Sequence, residues 1–213
     1  MRSALVSESP YLRRIEAGRK NPLLRLSFAF SLKDYTPYET RVIGSFVYLG
    51  QKERAHEAVD FFMKDRRPAG WNHWAEVVWR DRETPRFIGD MPHTWVGSDF
   101  IRSIRAMFVY EREQDGALVI GAGIPEQWLD EGGVDVRSLP TYFGPLNYRL
   151  RRNGGTVLAE FSGEVTVPDG KIILRSPRNA DVKSVNVDGV VYKNFTAQEV
   201  VLEALPAKVE LAY

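Results

Sequence analysis

Cysteine is absent from the 213 residues, which excludes a disulfide framework, a thiol nucleophile and a thiolate metal centre. There are three histidines, and His73 and His93 show no HxxxH or HExxH spacing, so no metal is expected. An excess of either charge is also lacking: 29 Lys and Arg stand against 28 Asp and Glu, a formal net charge of +1. Nucleic acid and anionic membranes are therefore not expected as partners. No apolar run approaches the roughly 18 residues of a membrane span. The opening MRSALVSESPYLRR has no apolar stretch of signal-peptide length, so the expectation is a cytoplasmic protein if Met1 is the true start.

What is present is enough apolar material for a substantial core, 44% of the residues, and its periodicity changes near Gly116. Before that point Val42, Phe46 and Leu49, then Ala55, Val59, Phe62 and Met63, recur at three- and four-residue steps, the spacing of helices with one buried face. Gly50 and Gln51 leave room only for a short turn, which predicts an antiparallel helical hairpin. A third helix is predicted over Trp71 to Arg80. A fourth is predicted from about Pro92 to Glu113, with Gly97, Ile101, Ile104 and Phe108 on its buried face.

After Gly116 the chain becomes short Val-, Ile-, Leu- and Tyr-rich runs separated by the turn pairs Gly132-Gly133, Gly154-Gly155, Asp169-Gly170 and Asp188-Gly189. LNYRLRR, TVLAEFSG and KVELAY alternate apolar with polar side chains, as half-buried antiparallel strands do. The expected fold is α plus β in two domains: helical hairpins over 1–115, then a C-terminal antiparallel β-sandwich of about seven to nine strands over 116–213. Arg149, Arg151 and Arg152 read as a solvated strand edge that discourages edge-to-edge pairing.

Four of the five tryptophans and two of the three histidines fall between residues 71 and 95. Flat aromatic faces pack on sugar rings, and carboxylates accept hydroxyl hydrogen bonds or act as acid and base in glycosidic cleavage. Trp71, His73, Trp74, Asp90, His93 and Trp95 are therefore the candidate sugar-binding residues. Glu76, flanked by aromatics in WNHWAEVVW, and Asp99 are the candidate catalytic carboxylates. Each has a structural reading beside it: aromatic staples between helices, Asp90 as a helix N-cap, and Asp99 as a carboxylate at a positive helix end.

The order of helical hairpins, the segments GWNHWAEVVW, GDMPHTWVGSDFIRSIRAMFVYE and IGAGIPEQWL, and the strand-rich end together resemble the C-terminal portion of bacterial six-hairpin glycosidase-like proteins. The resemblance runs from about residue 35 to 213. It implies a partial (α/α)6 toroid followed by a β-sandwich, and a hydrolase that uses water and no cofactor. In α-rhamnosidase-like relatives an acidic residue lies in a Gly-Glu-Trp turn; Ser98, Asp99 and Phe100 stand in the similar place here, which points to Asp99.

A complete toroid needs on the order of 300 residues, and residues 1–115 hold about two hairpins. The expectation is thus a tail of a longer enzyme, inactive alone, whose partners are carbohydrate and either the missing N-terminal hairpins or another subunit. The alternative is a non-catalytic carbohydrate-binding or scaffold fragment. Leu23, Leu24, Leu26, Phe28 and Phe30 are the candidate orphaned apolar surface.

Overall fold

The computed structural model describes residues 34–66, 70, 72–79, 87–88 and 90–213. Trp71 and the apolar stretch 22–32 lie outside the described residues. The chain divides between Ile104 and Arg105 into two compact units, and the architecture is α plus β. A helical toroid is not shown.

In the first unit a 3-10 turn, Pro37–Thr40, leads directly into helix α1, Arg41–Tyr48. Thr36 caps the turn, its hydroxyl accepting from the Tyr38 amide at 3.3 Å, with Pro37 in the first position, where a missing N–H costs nothing. Helix α2, Lys52–Asp65, follows after Leu49 to Gln51. Gly50 takes a positive φ of 69°, so the connection can reverse tightly and α1 packs against α2.

The buried face of α1 is Ile43, Gly44, Phe46 and Val47, whereas Val42 and Leu49 are half-buried. The helix is rotated by about one residue from the face read in the sequence. The rotation turns Gly44 to helix α3, Thr94–Phe108, where a Cβ on Gly44 would lie 3.4 Å from the Ser103 hydroxyl. On α3 the residues that turn inward in this unit are Val96 and Ser103, while Ile101 is 68% exposed. Reading Ile101 as a core residue was wrong, because small Ser103, opposite a glycine, permits the close approach that the larger residue would prevent.

Two other expectations are corrected. Residues 77–79 form a strand, β2 (Val77–Trp79), not part of a third helix. It lies between β1 (Asp34–Tyr35) and β3 (Phe87–Ile88), antiparallel to both. Val77, Val78 and Trp79 are strand formers, and partners on both sides let that preference prevail over the helical spacing of the tryptophans. Helix α3 ends at Phe108, not Glu113, and the chain continues at once as strand β4, Val109–Arg112.

The second unit holds two sheets. One has four strands in the order β12 (Glu199–Leu202), β9 (Ile172–Arg175), β5 (Ala117–Ile120), β4. The other has six: β11 (Val190–Tyr192), β10 (Ser184–Val187), β13 (Ala207–Ala212), β8 (Thr156–Gly163), β7 (Leu146–Asn153), β6 (Val134–Leu139). Their ten strands exceed the expected seven to nine, because short β4 and β11 lack the alternating signal. Pairing is antiparallel throughout except between β5 and β9.

Both sheets contribute to one core. Leu118, Ile120, Ile172 and Leu174 come from the four-stranded sheet, and Leu146, Leu150, Val157, Val209 and Leu211 from the six-stranded one. Burying each large aliphatic side chain contributes about 1.5–3 kcal/mol. The Asp188-Gly189 turn between β10 and β11 has both φ values positive, 51° and 81°, the two-residue geometry whose twist matches that of paired strands. Strand β7 lies between β6 and β8, so its arginines are not a sheet edge. Arg149 instead faces neighbouring strands, and Arg152 pairs with Glu126 and with Asp130 of the one-turn helix α4, Gln127–Asp130.

Candidate functional site

A cluster of polar and aromatic side chains forms where the 3-10 turn meets the start of α3. The Trp74 carbonyl accepts from the His93 amide at 2.8 Å, and the Glu76 amide donates to the Asp90 carbonyl at 3.1 Å. These two backbone bonds hold the segment before α3 against residues 74–76. The Thr36 hydroxyl then donates to the Glu76 carbonyl at 2.7 Å, fixing the turn to the same segment.

Tyr38 occupies the centre. Its hydroxyl lies 2.5 Å from His93 Nε2, and the two rings meet edge to face with centroids 5.3 Å apart. Burial raises the hydroxyl above the ordinary tyrosine value, reinforced by the carboxylates of Glu76, Asp99 and Asp90 and opposed by Arg41. The phenol and the imidazole nitrogen can each donate or accept in this contact. Nδ1 is 3.7 Å from Asp90 Oδ2.

On the other flank Arg41 donates from Nη2 to Asp99 Oδ2 at 2.8 Å and from Nε to the Tyr38 carbonyl at 3.0 Å. Its guanidinium carbon stands 5.0 Å from the Tyr38 ring centroid. The beginning of α1 thereby carries the cation that pairs with Asp99 on α3.

The candidate residues do not all share one role. Trp95 is 71% exposed and approaches the His93 ring edge-on at 6.0 Å, leaving most of its surface to solvent. Trp74 is 6% exposed and packs on Phe100 at 5.3 Å, a core position. His73 is exposed. Asp90 is three residues ahead of the first helical bond of α3, from the Gly97 amide to the His93 carbonyl; what it faces is the His93 ring rather than the helix amides.

Sequence reasoning missed Tyr38 and Arg41. The Thr-Pro signal of a capped turn at Thr36-Pro37 was available, and it delivers both side chains to the cluster. Neighbouring Glu39 is half-buried, and desolvation pushes its carboxyl up to about 7. Among the described residues no three side chains of metal-binding type lie close enough together to hold an ion. Among them, too, no helix is long and apolar enough to cross a membrane.

No protein-family model matches the chain, and no curated protein matches it. Among solved structures it is similar to a GH127 β-L-arabinofuranosidase from Geobacillus stearothermophilus T6, with a TM-score of 0.30 and 14% identity over 62% of this chain. The chain spans 21% of that protein's length.

Proposed function

We propose that the chain is the C-terminal part of a glycoside hydrolase-like, carbohydrate-active protein, and that the start of α3 forms one of its sugar subsites. The observation that carries this reading is the exposed Trp95 ring beside the Tyr38–His93 pair, with Asp90 3.7 Å from the His93 ring and Asp99 paired to the Arg41 that stands over Tyr38. An apolar ring face next to directed donors and carboxylate acceptors matches a sugar, which has an apolar face and a rim of hydroxyls.

In this reading Trp95 stacks on the sugar, and Asp90 and His93 bind hydroxyls. Tyr38 and Arg41 orient His93 and Asp99. Hydrolysis needs two carboxyl groups flanking the bond, one protonating the leaving oxygen and one activating water or attacking the sugar carbon. Asp99 and Glu76 are the groups this chain offers. The remaining toroid, from further hairpins or another subunit, would close the site. Water is the acceptor and no cofactor is required.

One observation favours binding without hydrolysis as a second reading: the Asp99 carboxylate is already engaged by Arg41 at 2.8 Å. Turnover by the native protein and by its Asp99→Asn and Glu76→Gln variants separates the two readings. Loss of hydrolysis with folding and sugar binding retained supports catalysis at the substituted residue. Unchanged turnover in both removes these carboxylates from the chemistry, and intact sugar binding in Trp95→Ala removes the subsite.

A further inference from the structure

The six-stranded sheet carries a second polar arrangement, ordered by strand pairing. Asp135 on β6 is the Cα partner of Arg149 on β7, Arg149 of Glu160 on β8, and Glu160 of Lys208 on β13. Their sequence neighbours Val134, Tyr148, Leu150, Ala159, Phe161, Ala207 and Val209 are buried. By the two-residue period of a strand the four charged residues therefore share the face away from the core. The result is one row across four adjacent strands in which acid and base alternate.

Arg149 Nη2 lies 2.8 Å from Asp135 Oδ2, and Lys208 Nζ lies 3.4 Å from Glu160 Oε1. Arg137 Nη2 adds a second contact to Asp135 at 3.0 Å. Cross-strand attraction accounts for the row, but it does not account for the hollow beside it. A cavity of about 600 Å³ opens over this face, lined by the row and by Arg137, Asn147 and Ser162 among others. At its rim, β6 bulges between Val136 and Leu139. There Asn147 Oδ1 accepts from the Ser138 amide at 2.7 Å, holding Ser138 at a φ of 49°. Bulges increase local twist and re-aim side chains.

We propose that this hollow binds a neutral oligosaccharide, with the sugar chain lying along the charged row and crossing the strands. Each sugar hydroxyl both donates and accepts. The row offers carboxylate acceptors and guanidinium or ammonium donors in turn, one rank per strand. Adjacent strands are about 4.8 Å apart, close to the length of one pyranose ring. Two acids and two bases cancel, so an anion such as phosphate, or a cation, meets a repelling like charge at every second step. Exposed ion pairs contribute little net stability because water screens them, so exchanging them for hydroxyl contacts costs little. The volume is that of small-molecule sites, roughly 300–1,000 Å³. The hollow is built wholly from the two-sheet unit and does not depend on the subsite at α3.

Affinity gel electrophoresis of the full chain on soluble arabinan, xylan, galactan and dextran tests the assignment. Retardation is expected on at least one polymer, with affinity falling about tenfold in Arg149→Ala, where a charge-assisted bond is lost. A similar fall is expected in Ser162→Trp, which fills the hollow and leaves the row intact. Thermal melting shows that each variant is folded. No retardation on any of the four polymers overturns the proposal. So does retardation that survives both variants. Retardation lost in Trp95→Ala but kept in both sheet variants overturns it as well, placing the binding at the start of α3.

Discussion

The two polar arrangements of this chain are built by opposite means. At the start of α3 the groups come from a turn, a loop and two helices, and tertiary contacts alone decide that Tyr38 meets His93 and Arg41 meets Asp99. On the six-stranded sheet they come from β6, β7, β8 and β13, where backbone pairing sets each opposite the next. The first can place unlike groups around a single atom, as a reacting centre requires. The second repeats at a fixed spacing and suits a repeating ligand. Regular scaffolds favour recognition of polymers, while junctions of irregular segments favour chemistry at a point.

The largest effect that sharpens this contrast lies under the row. Leu150 is fully buried and sits on β7 beside Arg149. Leu150→Ala should destabilise the protein by about 2–5 kcal/mol, read as a lower midpoint in urea. Ile101→Ala on exposed α3 should change stability by less than about 0.5 kcal/mol. Comparable losses in the two would mean that Ile101 is covered and that α3 buries a different face.

The alternation of β7, β8 and β13 made the inward face of the sheet legible in the sequence: Leu146, Tyr148 and Leu150 are buried as read. The charge row was not legible, because Arg149, Glu160 and Lys208 become neighbours only once the strand order is known. Reading the basic run of β7 as an edge failed for the same reason. In the helical region the hairpin was legible from its spacing, but its rotation was not. The close approach of Gly44 and Ser103 has no hydrophobic signature, so periodicity favoured Val42 and Ile101. Aromatic density singled out Trp95, His93 and Trp74 alike, whereas in the fold Trp95 is exposed and Trp74 packs on Phe100 in the core. Residue type does not separate an exposed ring from a core staple; packing does.

Next in size is Glu39. Its folded value of about 7 lies above the ordinary carboxyl value of 4.5 because of desolvation. The folded state therefore keeps a proton that the unfolded chain releases, and stability falls as pH rises from about 4.5 to about 7, then levels off. Glu39→Gln should remove that slope and be more stable than the parent at pH 8, by about 1–2 kcal/mol after allowance for solvent screening. Near pH 4 the two should agree. Parallel curves across the range would show that Glu39 is solvated or ion-paired.

Arg105 and Glu111 provide the counterpart of opposite sign in the second unit. Arg105 donates to both carboxylate oxygens, at 3.0 and 2.8 Å, and to the Pro140 carbonyl at 2.7 Å. Burial alone would raise Glu111, but the Arg105 hydrogen bonds, with the Tyr142 amide at 3.1 Å, hold it below the usual value. This contribution is complete above the unfolded value and is lost as pH falls through the folded one. Arg105→Met should cost about 1 kcal/mol at pH 7, screened by partial exposure, with the difference shrinking in acid. A loss that persists unchanged at low pH would assign the effect to the Pro140 contact and not to the carboxylate.

The smallest expected effect bears most directly on the α3 cluster. Tyr38→Phe keeps the ring against His93 and Arg41 and removes only the hydroxyl. Because both partners are half-buried, water can take the vacated place, and the cost in stability should stay near about 0.5 kcal/mol. Sugar binding at the Trp95 subsite should weaken more than stability does, since His93 loses the hydroxyl contact that orients its ring. If Tyr38→Phe instead costs about 2 kcal/mol and leaves binding untouched, the 2.5 Å contact serves to tie the turn to α3. The junction would then be a structural staple, and the sheet would be the place to look for the sugar.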